Sequence, residues 1–243
     1  MAMQLDVHTH TLASGHAYGT IAEMCRAARD KGLALLGITE HTSGIPGTCD
    51  DFYFVNFSVV PRRWEGVRLL LGAEINIVDY EGTLDLSEYY MKRIDLRIAG
   101  IHSQCYRFGT MAQNTAAVLG AIQNPYVHII SHPDDGNCPL DYKAVVDAAA
   151  RHDVLLEINN NALRSPGRKD SVHNSLTLLR LCRQRDYPVL LSSDAHFMAD
   201  VANVALVLPL LREANFPDEL VINYDLARFD QFLRRKEERL PRT

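Results

Sequence analysis

The sequence predicts an α/β fold, a closed or nearly closed parallel barrel of about seven strands. Seven short runs rich in Val, Ile and Leu alternate along the chain with segments of helical periodicity. Strands that alternate with helices form right-handed βαβ units. Most of the runs are nearly continuous in apolar residues, as expected of parallel strands buried on both faces. Barrels of this length are commonly single domains, so we expect one domain over residues 1–243.

The strands and helices can be placed in order from their apolar patterns. The predicted strands cover residues 4–8, 34–39, 68–77, 95–102, 127–131, 154–158 and 189–193. After the third strand the chain is predicted to turn in a hairpin at Tyr80-Glu81-Gly82 and to return along residues 83–85, before a short helix near residues 87–93. The longer amphipathic helices are predicted at residues 21–31, 110–123, 142–152, 171–186 and 226–240.

The composition is that of an ordinary soluble protein, with 47% hydrophobic and 23% charged residues. A formal net charge of −5 argues against a broad basic face that follows an extended nucleic acid. The N-terminus lacks a basic and apolar leader pattern, and the apolar runs are shorter than the roughly 18 residues of a membrane span. Five cysteines without a Cys-x-x-Cys pair indicate a reducing compartment. We therefore expect a cytoplasmic protein without membrane contact.

The stretch Asp6-Val7-His8-Thr9-His10 gives the first indication of chemistry. Alternate residues of a strand share a face, so His8 and His10 can close on one metal ion. Asp6 falls on the same face, and its carboxylate is predicted to orient the His8 ring. A single His-x-His motif is weak evidence, so the rest of the chain must support it.

Further histidines and carboxylates occur where the other predicted strands end. They are His41, Glu74, His102, His132, Asp194 and His196, and His16 lies in the loop after the first strand. Barrels of this kind assemble their active sites where the carboxyl ends of the strands meet. The sequence therefore predicts that these side chains converge with His8 and His10. His128 is predicted to lie deeper in the barrel, either in the core or as a support for the ligands, and His152 and His173 are predicted to lie at the surface.

The predicted ligand set also indicates which metal is bound. An imidazole-rich set with few carboxylates favours Zn²⁺, with Mn²⁺ or Fe²⁺ as alternatives, over Mg²⁺ or Ca²⁺. Seven histidines and two carboxylates suffice for three ions, each with about three protein ligands and an open position. Three divalent ions would bring a charge of about +6 against the carboxylates of Glu74 and Asp194. The mouth is thus predicted to attract a small phosphorylated substrate and to lower the pKa of a bound water.

These motifs resemble the PHP (polymerase and histidinol phosphatase) superfamily and, within it, the small YcdX-like bacterial metal-dependent phosphatases. The resemblance runs in order through Asp6-Val7-His8-Thr9-His10-Thr11, His16-Ala17-Tyr18, Gly37-Ile38-Thr39-Glu40-His41, Gly72-Ala73-Glu74, Ala99-Gly100-Ile101-His102, Ile130-Ser131-His132-Pro133 and Ser193-Asp194-Ala195-His196. It implies a distorted (β/α)₇ TIM-like barrel. It also implies a metal cluster, usually of three zinc ions, at the C-terminal end of the strands.

The resemblance implies a role for each ligand. His8, His10, Glu74 and Asp194 would hold the first metal. Glu74 would bridge to a second metal that His102 and His132 complete, and the third would be held by His16, His41 and His196. The implied reaction is hydrolysis of a phosphomonoester without a covalent intermediate, in which a metal-bound hydroxide attacks phosphorus in line.

Polar residues in the loops after the predicted strands are candidates for substrate contacts. We predict this role for Arg107, Asn159 and Arg164. Further polar groups at the same rim are Glu157, Asn160, Asn161, Arg168 and Lys169. Such groups either contact the substrate or support the ligands.

Three other functions remain open. An amidohydrolase also begins with His-x-His, but this sequence has no strand-end Lys that could bridge two metals. It also has seven predicted strands rather than eight. A phosphodiesterase or exonuclease of the same superfamily is disfavoured by the acidic chain and the lack of a basic domain. A non-catalytic metal-binding protein is disfavoured because all nine ligand positions are filled. The oligomeric state stays open, since the apolar residues 201–211 suit either the barrel bottom or a neighbouring subunit.

Overall fold

The computed structural model describes residues 1–240 and contains the predicted parallel barrel; residues 241–243, at the end of the predicted domain, lie outside the described residues. Seven parallel strands follow one another in chain order around the sheet. They are β1 (Leu5–Asp6), β2 (Leu35–His41), β4 (Val67–Asn76), β5 (Leu96–Gly100), β6 (Ile129–Ile130), β7 (Leu155–Asn159) and β8 (Val189–Ser192). A two-residue strand, β3 (Arg63–Trp64), pairs antiparallel with β4. The predicted fold class is confirmed.

The five longer helices begin and end within two residues of their predicted bounds. They are α1 (Ile21–Asp30), α4 (Met111–Gln123), α5 (Tyr142–His152), α7 (Ser171–Gln184) and α9 (Leu226–Glu238). The predicted hairpin is present as an antiparallel bridge between Ile77 and Leu84, and the short helix α3 (Glu88–Met91) follows it. Three short helices were not predicted: α2 (Phe52–Val55), α6 (Asn160–Arg164) and α8 (Val207–Glu213). Helix α8, which overlaps the apolar residues 201–211, packs against α7.

Two groups of contacts close the barrel between β8 and β1. Near the mouth, the His10 N–H donates to the Ala195 carbonyl at 2.9 Å. Lower down, where the two strands do not pair directly, residues 221–224 lie between them. There the fully buried Asn223 side chain donates to the carbonyls of Leu5 and Leu191 and accepts from the Leu191 N–H, at 2.7 to 3.0 Å. One amide side chain thus replaces part of a missing strand.

Replacing Asn223 with Ala should lower the free energy of unfolding by about 3 kcal/mol, because three buried backbone groups lose their partners. Urea unfolding measures the change. Asn56→Ala, at an exposed position, is the matched control and should change the free energy by less than about 0.5 kcal/mol. Equal effects of the two substitutions would contradict the role given to Asn223.

Helix α9 seals the end of the barrel opposite the mouth. Its buried Phe229 and Phe232 pack in one cluster with strand residues such as Leu5 and Ile98. The Arg97 guanidinium is buried beneath the helix and contacts Glu237, a half-exposed residue of α9. His128 lies in this core as predicted, with Nδ1 accepting from the Arg97 N–H at 3.2 Å.

The neutral state of His128 should make the protein sensitive to acid. Burial lowers the pKa of His128 to about 3, and the positive charges of Arg97 and Lys236 act in the same direction, against Glu237. Below the ordinary histidine pKa of about 6.5, His128 binds a proton in the unfolded chain but stays neutral in the folded chain. The stabilising effect is complete above pH 6.5 and is lost as the pH falls toward 3.

We expect His128→Gln to reduce the pH dependence of the free energy of unfolding by up to about 1.4 kcal/mol per pH unit between about pH 6.5 and 4.5. Urea unfolding at several pH values gives the slope. His173→Gln, on an exposed part of α7, is the control and should keep the wild-type slope. A His128 variant with an unchanged slope would show that this histidine is not held neutral.

Within residues 1–240, no helix is both long and apolar enough to cross a bilayer.

Candidate metal centre

The mouth of the barrel gathers all nine side chains that were predicted to bind metal. They lie on or just after strands β1, β2, β4, β5, β6 and β8 and in the loop after β1: His8, His10, His16, His41, Glu74, His102, His132, Asp194 and His196. Most are buried, whereas His16 is exposed at the edge of the cluster. Residues far apart in the chain therefore form one polar centre.

Glu74 lies at the middle of this centre, and its two oxygens face different neighbours. Oε1 lies 2.8 Å from His132 Nε2 and 3.3 Å from His102 Nε2. Oε2 lies 3.2 Å from His8 Nε2 and 3.0 Å from His41 Nδ1. The carboxylate can therefore bridge two separate groups of imidazoles.

Asp194 completes a second group with His8 and His10. Asp194 Oδ1 lies 3.2 Å from His10 Nε2 and 3.7 Å from His8 Nε2, and His10 Nε2 lies 3.6 Å from Glu74 Oε2. Donors placed about 2.1 Å from one tetrahedral ion lie about 3.4 Å from each other. The spacing of these four side chains suits a single ion.

A third group of imidazoles lies on the outer side of the centre. The ligand atoms of His10, His41 and His196 lie within 4.8 Å of one another. His16 adjoins this group, with its Nε2 at 3.1 Å from His196 Nε2. The His16 and His41 rings are stacked with their centroids 5.0 Å apart. His10 thus belongs both to the group of His8 and Asp194 and to this outer group.

The hydrogen-bond pattern of the centre fits metal binding. Within residues 1–240, thirteen buried side-chain nitrogen or oxygen atoms lack a hydrogen-bond partner, and seven of them lie here. The seven are His8 Nε2, His10 Nε2, His41 Nδ1, Glu74 Oε1, Glu74 Oε2, His102 Nε2 and Asp194 Oδ1. Buried polar atoms without partners are costly, and a metal ion satisfies several of them at once. Imidazole nitrogens and carboxylate oxygens are suitable ligands for Zn²⁺.

The charges of the centre shift the pKa values of its members. Burial opposes charge on Glu74, but the surrounding histidines, His8 foremost, hold the pKa of Glu74 well below its usual range. Burial opposes charge on Asp194 too, but the nearby imidazoles, His8 foremost, hold its pKa well below the ordinary value. Burial, with neighbouring imidazoles, lowers the pKa of His10 well below the ordinary value. Ionised carboxylates beside a neutral imidazole favour a bound cation.

Glu157, in the middle of β7, orients the ligands nearest to it. Its Oε1 lies 2.6 Å from His8 Nδ1, and its Oε2 accepts from the His132 N–H at 2.8 Å. The His132 backbone has a φ of 29°, a strained conformation for a non-glycine residue that this contact helps to hold. The prediction that Asp6 orients His8 was wrong. Asp6 accepts from Ser193 and from the Ala202 N–H, because β1 ends at Asp6 and the strand alternation does not continue to His8.

Other polar groups lie within hydrogen-bond distance of the outer nitrogens of His10 and His196. His10 Nδ1 lies 3.0 Å from Ser14 Oγ, which donates to Glu40 Oε2 at 2.6 Å. His196 Nδ1 lies 2.9 Å from the Asp194 carbonyl. An imidazole that donates through Nδ1 presents the lone pair of Nε2, the form a metal binds.

A cavity of about 440 Å³ opens over the centre, and only some of the predicted substrate contacts lie near it. Arg107 is exposed and does not line the cavity. Arg164 is also outside the lining and pairs with Asp200 at 2.9 Å. Asn159 is fully buried behind the centre, where its amide donates to Asp194 Oδ2 at 3.2 Å. Arg168 does line the cavity, and its guanidinium donates to the His132 carbonyl at 3.2 Å.

The comparisons with known proteins decide the family. A family model described as the PHP domain matches residues 6–165. This chain belongs to the PHP domain family. The match contains seven of the nine candidate ligands, and Asp194 and His196 follow it on the last part of the PHP barrel. A protein of Caldicellulosiruptor bescii named as a probable phosphatase is 40% identical over 234 residues, which cover 96% of this chain and 97% of that protein.

Two solved structures share the PHP fold at low sequence identity. Histidinol phosphate phosphatase from Lactococcus lactis, complexed with zinc, L-histidinol and phosphate, is 15% identical with a TM-score of 0.60, over 89% of this chain and 95% of that chain. A chain from the structure of an archaeal ribonuclease P with mature tRNA is 14% identical with a TM-score of 0.55, over 96% of this chain and 91% of that chain. At these identities the likeness concerns the fold alone.

Several supporting residues of this PHP barrel were missed or misassigned from the sequence. Glu40 precedes His41 within a recognisable motif, yet its partner Ser14 lies 26 residues earlier and no local pattern links them. Asn76 also follows a candidate ligand, Glu74, by two residues on β4. Polar residues that interrupt an apolar strand near its carboxyl end were the available signal.

Proposed function

We propose that this PHP protein is a metal-dependent phosphatase that hydrolyses small phosphomonoesters at a centre of three divalent ions. One observation supports this proposal above all: seven buried ligand atoms from six side chains face one another without hydrogen-bond partners among the described residues. Zn²⁺ suits this imidazole-rich set best, with Mn²⁺ or Fe²⁺ as alternatives. The probable-phosphatase name of the 40% identical relative agrees with the activity.

Each of the three ions is assigned to one group of side chains. The first would be held by His8, His10, Glu74 and Asp194, whose donors have the spacing of a single site. The second would be held by Glu74, His102 and His132, since both imidazoles face Glu74 Oε1. The third would be held by His16, His41 and His196, with His10 close enough to contribute.

Divalent ions at this centre would lower the pKa of a bound water and neutralise the oxygens of a phosphoryl group. The residues of the chain contribute charge, orientation and space. Glu74 and Asp194 keep their negative charge because their pKa values are held low. Glu157 and Ser14 hold the outer nitrogens of His8 and His10. We assign the substrate contact to Arg168, a cation of the cavity wall.

We also propose that residues 1–243 form one PHP domain. The family match ends at residue 165, but the last strand, β8, completes the sheet and is followed by Asp194 and His196. Helix α9 packs its Phe229 and Phe232 against the barrel strands. A barrel that ended at residue 165 would therefore lack two candidate ligands, Asp194 and His196, and helix α9, which covers the end opposite the mouth.

A paired assay tests the proposed activity. The zinc-loaded protein should hydrolyse p-nitrophenyl phosphate much faster than the bis-ester bis(p-nitrophenyl) phosphate. Preference for the bis-ester would replace the proposal by a phosphodiesterase or exonuclease. A metal-loaded protein without activity on either ester would indicate a non-catalytic metal-binding protein. The three results therefore distinguish a phosphomonoesterase, a phosphodiesterase and a protein without activity on either ester.

His41→Ala should remove about one equivalent of metal, the third ion. The first ion should stay bound, because none of its four assigned ligands is changed. Metal analysis of the desalted protein measures the loss. His173→Ala, at an exposed position, is the control and should keep the full metal content. Loss of all metal from the His41 variant, or its unfolding, would contradict the assignment of separate ligand groups.

A further inference from the structure

We propose that Asp85 is a positioning residue that fixes the side-chain amide of Asn76 and, through it, the tautomer of His102 that carries its proton on Nδ1. Asp85 lies on the returning arm of the hairpin after β4 and does not line the cavity. It acts on His102 through the fully buried Asn76. The inference rests on the proposed function for its effect on metal binding, but not for its effect on the tautomer.

The carboxylate of Asp85 accepts four hydrogen bonds. Oδ1 accepts from the Thr42 hydroxyl at 2.6 Å and from the Asn76 N–H at 2.9 Å. Oδ2 accepts from the Asn76 side-chain amide at 2.7 Å and from the Gly44 N–H at 2.9 Å. An ionised carboxylate only accepts hydrogen bonds, so the side-chain atom of Asn76 that faces it must be the nitrogen.

The Thr42 hydroxyl reinforces this orientation. It donates its hydrogen to Asp85, so its oxygen is free to accept from the Asn76 Nδ2 at 3.0 Å. A rotated amide would place Asn76 Oδ1 against the carboxylate of Asp85, where two acceptors repel. The amide therefore has one favourable orientation in this network.

The orientation of Asn76 determines which nitrogen of His102 carries the proton. Asn76 Oδ1 lies 2.7 Å from His102 Nδ1 and can only accept, so Nδ1 must donate. The lone pair of His102 Nε2 is then directed toward Glu74 Oε1, 3.3 Å away. A reversed amide would instead favour a proton on Nε2 and block that nitrogen as a ligand.

The packing around Gly44 gives independent evidence that the position of Asp85 is closely constrained. A Cβ atom at Gly44 would lie 2.6 Å from Asp85 Oδ2 and 2.9 Å from Asn76 Nδ2. Only glycine allows the loop after β2 to approach the carboxylate this closely. The loop that carries Thr42 and Gly44 begins directly after His41, and the hairpin that carries Asp85 follows the strand of Glu74. The hydrogen bonds of Asp85 therefore connect the segments that follow these two candidate ligands.

Asp85→Asn tests the inference in two measurements. In the metal-free protein at about pH 8.5, above the usual titration range of imidazoles, the ¹⁵N resonances of His102 report which ring nitrogen carries the proton. They are assigned by their loss in His102→Gln. We expect Nδ1 to carry the proton in the wild type and the Asp85→Asn variant to shift toward a proton on Nε2. One zinc equivalent should also bind about 10–100-fold more weakly in competition with a chelator.

Asp79→Asn is the matched control, because Asp79 lies in the same hairpin and its carboxylate accepts from the N–H groups of Glu81 and Thr83 in the turn. It should leave the His102 resonances unchanged. If Asp85→Asn does not fold, Asp85→Ala takes its place and should shift the tautomer in the same direction, because it also removes the acceptor that orients the Asn76 amide. An unchanged tautomer in the folded Asp85 variant would overturn the inference. A wild-type protein that bound no zinc would instead contradict the proposed function and leave the tautomer test intact.

Discussion

Glu74→Gln is expected to remove phosphatase activity, with a loss on the order of 10³-fold or more. Glu74 Oε1 faces His102 and His132, and Oε2 faces His8 and His41. An amide of the same shape has one oxygen, and its NH₂ group cannot bind a cation. At least one of the two proposed metal sites that share Glu74 therefore loses a ligand atom, and both lose its negative charge. Initial rates on p-nitrophenyl phosphate at saturating zinc measure the effect.

The control for this substitution is Glu81→Gln, which makes the same chemical change at an exposed position in the hairpin turn. It should keep wild-type activity. Circular dichroism and urea unfolding should show that the Glu74 variant is folded. A folded Glu74→Gln protein with activity within about tenfold of the wild type would show that this carboxylate is not the bridge.

Glu157→Gln is expected to lower both zinc affinity and activity by about 100-fold. The carboxylate of Glu157 accepts from His8 Nδ1 and from the His132 N–H, and it also accepts from the Asn159 amide at 2.9 Å. An amide cannot accept with both atoms, so at least one of these partners is left unpaired in a buried place. Chelator competition gives the affinity, and activity should recover in part at high zinc concentration.

Asp6→Asn tests whether Glu157, as the structure indicates, or Asp6, as strand alternation predicted, orients the His8 ring. Asp6 contacts Ser193 and the Ala202 backbone rather than His8, so its substitution should change zinc affinity by no more than a few-fold. A larger loss of zinc affinity in Asp6→Asn than in Glu157→Gln would return the role of orienting His8 to Asp6.

Much of the barrel could be predicted from local sequence because its helices carry strong local signals. Tyr142–His152 was predicted at the observed bounds because its apolar residues recur with helical spacing, and the structure adds that Asp141 caps it. The mouth was predictable because strands of a parallel barrel all end on one side, which places His41, His132 and Asp194 together. Each of these contacts follows from topology rather than from sequence distance.

The contacts that were missed depend on exact three-dimensional positions. Glu157 reaches His8 across 149 residues of chain, and nothing near either residue indicates the pair. Asn223 completes the hydrogen bonds of two strands although it lies in a short 3₁₀ turn. Arg164 was predicted to contact substrate from its place after a strand, but the helix α6 directs it to Asp200. Loop position alone does not determine the direction of a long side chain.

The content of bound metal tests the central claim most directly. The purified protein is loaded with zinc, desalted to remove weakly bound ions, and analysed by inductively coupled plasma mass spectrometry against protein concentration. We expect about three equivalents of zinc per chain, one for each group of ligands around Glu74, Asp194 and His196. A saturated content of one equivalent or none would contradict the trinuclear centre.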